Sequence, residues 1–96
     1  MSHAERAERF RALHHGSAPL LLPNPWDAGS ARMLERLGFQ ALATTSSGHA
    51  LTLGLGDGAV SREQALIGVD SIVHGTSLPV SADLENGFGT DAVLLA

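Results

Sequence analysis

The 96-residue sequence contains no cysteine, which excludes a disulfide framework, a thiolate zinc site and a cysteine nucleophile within these residues. Basic residues are also scarce: there are six, all arginine, against ten acidic residues, for a formal net charge of −4. They do not cluster, so we expect neither a nucleic acid nor an anionic membrane as a partner. No hydrophobic run approaches the roughly 18 residues that span a bilayer, and the N-terminus does not resemble a signal peptide. A soluble, cytoplasmic protein is therefore expected.

The composition of the chain is that of a globular protein. Hydrophobic residues make up 44% and charged residues 17%, and no low-complexity segment interrupts them. A chain of this length can form one small domain with its own core.

The hydrophobic pattern predicts one helix followed by repeated strand–helix units. Ser61 and Gln64 have the spacing of a capping box and mark the clearest helix start. The predicted elements are a helix over 4–15, a strand over 20–23, a helix over 28–37, a strand over 39–45, a loop over 46–58, a helix from 61, a strand from 79 and a helix opening at 90–96. Repeated βα units indicate a parallel sheet.

Three parallel strands alone would leave the last strand as an open hydrophobic edge. The chain also stops inside a predicted helix, at Ala96, without a cap. We therefore expect the N-terminal part of a larger α/β protein, and we expect the isolated chain to self-associate through that edge.

Two carboxylates, Asp83 and Glu85, occupy alternate positions of the third predicted strand and its end, so they point the same way. The two negative charges repel each other unless a cation lies between them. Oxygen ligands such as carboxylates suit Mg²⁺ or Mn²⁺. Asp57 follows the second predicted strand and could supply a third ligand, although Gly-Asp-Gly is also an ordinary turn sequence. The alternative for 83–87 is a hairpin at Asn86-Gly87, but helix-like sequence follows where a hairpin needs a strand.

A polar segment, Thr45-Ser46-Ser47-Gly48, follows the second predicted strand. Its hydroxyls and backbone N–H groups suit a carboxylate or phosphate oxygen, and a simple polar turn explains it equally well. In parallel α/β folds ligands bind at the carboxyl ends of the strands, which is where this segment falls.

Four segments of the chain, in order, match a known family. They are Leu22-Pro-Asn-Pro-Trp-Asp-Ala-Gly-Ser-Ala-Arg32, Ala43-Thr-Thr-Ser-Ser-Gly-His-Ala50, the Asp57-Gly turn before Ser61-Arg-Glu, and Leu78-Pro-Val-Ser-Ala-Asp-Leu-Glu-Asn-Gly-Phe-Gly89. With these segments the sequence resembles the isocitrate lyase/phosphoenolpyruvate mutase superfamily, in particular members related to 2-methylisocitrate lyase and phosphonate-processing enzymes.

The resemblance implies a (β/α)8 TIM barrel preceded by an extra helix and assembled as a tetramer. Residues 1–96 would then form one partial barrel domain: the leading helix and the first three βα units, truncated in the third.

The resemblance also implies roles for particular residues. Asp83 and Glu85 match the Mg²⁺-site acids on strand three, where Asp-x-Asp is usual and Glu85 is a variant; Asp57 matches an acid that supports the metal. Thr45, Ser46 and Ser47 fall where the family holds substrate carboxylate or phosphonate oxygens. No catalytic residue is identified within the chain, because the loop that carries a catalytic cysteine in the lyases would lie beyond residue 96.

The implied function is a Mg²⁺-dependent lyase or mutase. It would cleave a C–C or P–C bond of a small 2-oxo or 2-hydroxy acid through a pyruvate enolate, and its ligand would be a small carboxylate or phosphonate. These 96 residues alone are expected to be inactive. Two alternatives stay open: a truncated or decayed non-catalytic protein that associates or binds small anions or metal weakly, and a small α/β domain whose carboxylates are structural.

Overall fold

The computed structural model describes residues 2–16 and 18–84. Four helices and two short strands follow one another in these residues. They are α1 (His3–Leu13), α2 (Ala28–Arg36), β1 (Leu42–Ala43), α3 (Ser46–Thr52), α4 (Arg62–Gly75) and β2 (Val80–Ser81). None of the helices in this part of the chain is long and apolar enough to cross a membrane.

The predicted parallel sheet is confirmed in β1 and β2. The two strands pair in parallel, with Leu42 opposite Val80 and Ala43 opposite Ser81. The Leu42 N–H donates to the Pro79 carbonyl at 2.9 Å, and the Thr44 N–H donates to the Ser81 carbonyl at 2.8 Å. Each strand is only two residues long, which is shorter than the sequence predicts.

The strand predicted over 20–23 is not a strand in the structure. The segment is extended and lies beside β1, where the Ala43 N–H donates to the Pro23 carbonyl at 3.1 Å and the Asn24 side chain donates to the Ala43 carbonyl at 2.8 Å. Pro23 and Pro25 have no N–H to return, so a ladder of alternating donors and acceptors cannot form.

The loop predicted over 46–58 is also wrong in its first half, because Ser46–Thr52 form the helix α3. Thr45 caps it: its hydroxyl accepts the Gly48 N–H at 3.2 Å. Ala50 is fully buried, so tertiary packing stabilises a helix whose serine and glycine content is typical of a turn.

Helices α2 and α4 begin at capping boxes. Ser61 and Gln64 bond reciprocally at the start of α4, as predicted, with distances of 2.9 Å and 3.1 Å. Asp27 accepts the Ser30 N–H at 2.8 Å at the start of α2. These bonds satisfy backbone N–H groups that the first helical turn leaves without partners.

The core lies between the helices and the sheet. Ala31 of α2, Leu42 of β1 and Ile72 of α4 are buried together, and Leu34, Leu78 and Val80 pack around them. Helices α2 and α4 approach closely because residue 75 is glycine: a Cβ there would lie 2.8 Å from the Ala28 Cβ.

The end of the sheet where β2 begins is held by charged hydrogen bonds. The Arg6 guanidinium of α1 donates to the carbonyls of Val73 and Thr76, at 2.9 Å and 2.6 Å. The Glu35 carboxylate of α2 accepts the Thr76 hydroxyl, the Ser77 N–H at 2.8 Å and the Ser77 hydroxyl at 3.0 Å. The bond from Thr76, followed by that from the Ser77 N–H, lowers the pKa of Glu35.

Replacing Glu35 with alanine is expected to lower the free energy of unfolding at pH 7 by about 1–3 kcal/mol, because the buried Thr76 hydroxyl loses a charged acceptor. The folded-state pKa of Glu35 is depressed, so its contribution is complete above the unfolded-state pKa of about 4.3 and is lost as pH falls through the folded-state pKa. Urea unfolding at pH 7 and at pH 3 measures this difference.

Glu8→Ala is the matched control for that prediction. Glu8 is exposed and pairs with Arg11 at 2.9 Å, and such surface pairs contribute about 0–1 kcal/mol. Equal losses for Glu35→Ala and Glu8→Ala at pH 7, or a Glu35→Ala loss that does not shrink in acid, would contradict the assignment.

Candidate functional site

The carboxyl ends of β1 and β2 lie at the same edge of the sheet and bring two predicted segments together. Thr44 follows β1, and Asp83 comes two residues after the end of β2. The Asp83 N–H donates to the Thr44 hydroxyl at 2.7 Å, and Thr44 is buried. This bond fixes the backbone of Asp83 beside the end of β1.

Ser46 contacts both of the described acidic residues that the sequence predicts as metal ligands. Its backbone N–H lies 3.3 Å from Asp83 Oδ2, and its hydroxyl lies 3.4 Å from Asp57 Oδ1. Asp57 comes from the loop between α3 and α4, so two carboxylates far apart in sequence meet at one serine. Both bonds are near the upper limit of hydrogen-bond length, so small shifts of Ser46 would break them.

The third predicted ligand, Glu85, lies outside the described residues, as does the helix predicted over 90–96. Within 2–16 and 18–84, no group of three or more histidine, aspartate or glutamate side chains is arranged to hold a metal ion. The donor set at Asp57, Asp83 and Ser46 consists of carboxylate and hydroxyl oxygens, and Mg²⁺ prefers oxygen ligands.

The segment Thr45–Gly48 is the beginning of α3. Thr45 and Ser46 line a small cavity on the side of the sheet edge where Asp57 and Asp83 lie. Ser47 is exposed. The Gly48 N–H is bonded to the Thr45 hydroxyl. Glycine is needed at position 48, because a Cβ would lie 2.7 Å from the Thr45 Cγ2.

The cavity beneath this edge has a volume of about 20 Å³. Its polar lining is Thr44, Thr45, Ser46, His49 and Asp83, and the remainder is apolar side chains and Gly68 of α4. This volume holds about one water molecule. A substrate of several carbon atoms therefore cannot lie within it and would have to bind above the strand ends.

His49 also lines the cavity, and it is not among the site residues that the sequence predicts. Its Nε2 lies 3.1 Å from the Gln64 carbonyl, and its ring packs on Gly68. The available signal was Gly68 itself: a glycine inside an amphipathic helix costs about 1 kcal/mol relative to alanine and indicates a close packing partner.

Comparisons with known proteins identify relatives of this chain. The family model of phosphoenolpyruvate phosphomutase matches residues 10–96. A curated 2-methylisocitrate lyase from Halalkalibacterium halodurans is 35% identical over 89 residues, which cover 92% of this chain and 30% of the relative.

Solved structures are similar in fold. A provisionally named lyase/mutase from Burkholderia cenocepacia J2315 superposes with a TM-score of 0.90 at 50% identity, over 96% of this chain and 33% of that protein. A 2,3-dimethylmalate lyase described as a PEP mutase/isocitrate lyase superfamily member gives a TM-score of 0.81 at 30% identity, over 99% of this chain and 32% of that protein. The chain thus spans about a third of the length of these relatives.

Proposed function

This chain belongs to the phosphoenolpyruvate phosphomutase family, and on that premise we propose that it is part of a Mg²⁺-dependent lyase or mutase for small 2-oxo or 2-hydroxy acids. The observation that carries the proposal is the meeting of Asp57 and Asp83 at Ser46, at the carboxyl edge of a parallel sheet. Ligands bind at this edge in parallel α/β proteins. The relatives include lyases and the family model is that of a phosphomutase, so the proposed reaction is cleavage of a C–C or a P–C bond.

In this proposal the chain supplies the leading helix and the first three βα units of a TIM barrel. The parallel pairing of β1 with β2 and the coverage of about a third of each relative support it. The remaining units would complete the barrel and cover the exposed edge of β2. Turnover then requires residues outside this chain, and the 96 residues alone would be inactive.

Asp57 and Asp83, together with Glu85, would hold the metal ion. The described carboxylates and the Ser46 hydroxyl provide oxygen donors from two different loops, which suits a hard divalent ion. When bound, Mg²⁺ would supply Lewis-acid stabilisation of negative charge on a substrate oxygen.

The chain's own groups would orient the substrate. Thr45 and Ser46 line the cavity. The Thr45 hydroxyl accepts the Gly48 N–H and can donate its own hydrogen to a carboxylate or phosphonate oxygen, whereas the Ser46 hydroxyl donates to Asp57. Ser46 also holds the two acids near each other, because its N–H donates to Asp83 and its hydroxyl donates to Asp57. Val60, Val69 and Ile72 form the apolar part of the cavity lining below the site.

The proposal predicts that Mg²⁺ stabilises the native full-length protein. At a metal concentration of about 100 times Kd, the free energy of unfolding should rise by about 2.7 kcal/mol, because the ion binds the folded state and not the unfolded state. Thermal unfolding in Mg²⁺, in EDTA and in NaCl of equal ionic strength measures the effect. Assays of 2-methylisocitrate and 2,3-dimethylmalate cleavage in the same buffers test the reaction.

Equal unfolding temperatures in Mg²⁺ and EDTA, with no cleavage of either acid, would contradict the proposal. That result would favour the alternative that the chain is a non-catalytic α/β protein whose carboxylates are structural.

A further inference from the structure

His49 connects the two helices that border the site. Its Nε2 lies 3.1 Å from the carbonyl of Gln64 in α4, and a carbonyl can only accept, so Nε2 carries the hydrogen. His49 belongs to α3, the helix that begins with Ser46, and both residues line the same cavity. The imidazole therefore joins α4 to the helix that contacts the acids.

The ring fits only because residue 68 is glycine. A Cβ on Gly68 would lie 2.5 Å from His49 Nε2 and 2.8 Å from Nδ1, which is closer than real atoms approach. Gly68 is buried within α4. The packing accounts for a glycine that costs about 1 kcal/mol of helix stability.

Helix α3 needs such an anchor. It has seven residues, and a helix of under two turns is not stable without tertiary contacts. His49 lies three residues after Ser46, and residues at this spacing are neighbours on one helix face. Fixing the ring on α4 therefore fixes the position of Ser46, whose two bonds to Asp57 and Asp83, at 3.4 Å and 3.3 Å, tolerate little displacement.

We propose that His49 is a positioning residue: its imidazole, seated on Gly68 and bonded to the Gln64 carbonyl, holds Ser46 against Asp57 and Asp83. The significance for turnover rests on the proposed function, whereas the positioning itself does not. Gln64 contributes its backbone here, so its side chain remains free for the α4 capping box.

The test is amide hydrogen exchange of residues 46–50 in the native full-length protein, with kcat measured on the same samples. In His49→Leu the bond to the Gln64 carbonyl is lost, and exchange should rise about threefold to tenfold, the equivalent of one neutral hydrogen bond. His49→Gln retains a donor that can reach the carbonyl, so it should recover most of the protection and of kcat. Leu34→Ala is the control for stability, since Leu34 packs against the core from α2 and does not line the cavity that Ser46 and His49 share.

Gly68→Ala provides a second route, because it displaces the ring and leaves His49 in the sequence. It should raise exchange in 46–50 as His49→Leu does, and Gly68→Ala combined with His49→Ala should add little to His49→Ala alone. Wild-type protection of residues 46–50 in His49→Leu, no recovery in His49→Gln, or equal deprotection in Leu34→Ala would overturn the proposal. If the wild-type protein shows no metal effect and no turnover, the proposed function fails, and the exchange data still decide the role of His49.

Discussion

Replacing Asp83 with asparagine in the native full-length protein is expected to lower kcat of the proposed reaction on the order of a thousandfold, because it would weaken the hold on the proposed metal ion, which would supply several kcal/mol of charge stabilisation. The fold should persist. The backbone of Asp83 is held by the Thr44 hydroxyl, and an asparagine side-chain oxygen can still accept the Ser46 N–H. Steady-state kinetics together with thermal unfolding separate these two effects.

Asp70→Asn is the matched control for Asp83→Asn. Asp70 is an exposed carboxylate on α4 that lies 3.3 Å from His74, away from the strand ends. Its replacement should leave kcat within about twofold of wild type, as surface substitutions change stability by less than about 0.5 kcal/mol. An Asp83→Asn enzyme with normal turnover would contradict the site assignment.

Replacing Ile72 with alanine is expected to lower the free energy of unfolding by about 2–5 kcal/mol, a large part of the stability of a small domain. Ile72 is 2% exposed and packs with Ala31 and Leu42, so truncation removes buried apolar contacts and leaves a cavity between α4, α2 and β1. Urea unfolding monitored by circular dichroism measures the loss.

Ile67→Ala makes the same chemical change on the opposite face of α4. Ile67 is 69% exposed, so its replacement should cost less than about 0.5 kcal/mol. A loss for Ile67→Ala as large as that for Ile72→Ala would show that the core lies elsewhere or that this face of α4 is covered in the native protein.

The sequence predicts the helix boundaries well because they are set by local chemistry. Ser61 with Gln64, and Asp27 with Ser30, need only nearby backbone N–H groups, and the caps of α4 and α2 form at these residues. The parallel order of the strands follows from the alternation of strand and helix, and β1 and β2 confirm it.

The sequence does not predict which apolar residues are buried in the tertiary structure, or which polar segments form helices there. Leu66 of α4 is apolar and 42% exposed, whereas Ile72 of the same helix is 2% exposed. Helix α3 was predicted as a loop because its residues have weak helix propensity, and its stability comes from burial of Ala50 and the His49 contact. These effects depend on distant residues.

The candidate site, like the fold, is predicted only in part by the sequence. Alternation and strand ends predict that Asp57, Asp83 and the Thr45–Gly48 segment lie at one edge, and the described residues place Asp57, Asp83 and Ser46 in contact. The hydrogen bonds that each hydroxyl and N–H makes depend on the N-terminal cap of α3, and the sequence does not predict that helix. The metal function of these residues, and of Glu85, stays a prediction.

Mn²⁺ binding to the native full-length protein tests the proposed metal site at Asp57, Asp83 and Glu85. Electron paramagnetic resonance detects the bound ion, with Mg²⁺ as competitor. We expect stoichiometric Mn²⁺ binding and displacement of the bound ion by Mg²⁺. Asp70→Asn should bind Mn²⁺ as the wild type does, and Asp83→Asn should bind it at least about tenfold more weakly, or by about 1.4 kcal/mol. A wild-type protein that leaves Mn²⁺ free in solution, or an Asp83→Asn variant that binds it equally well, would contradict the metal site.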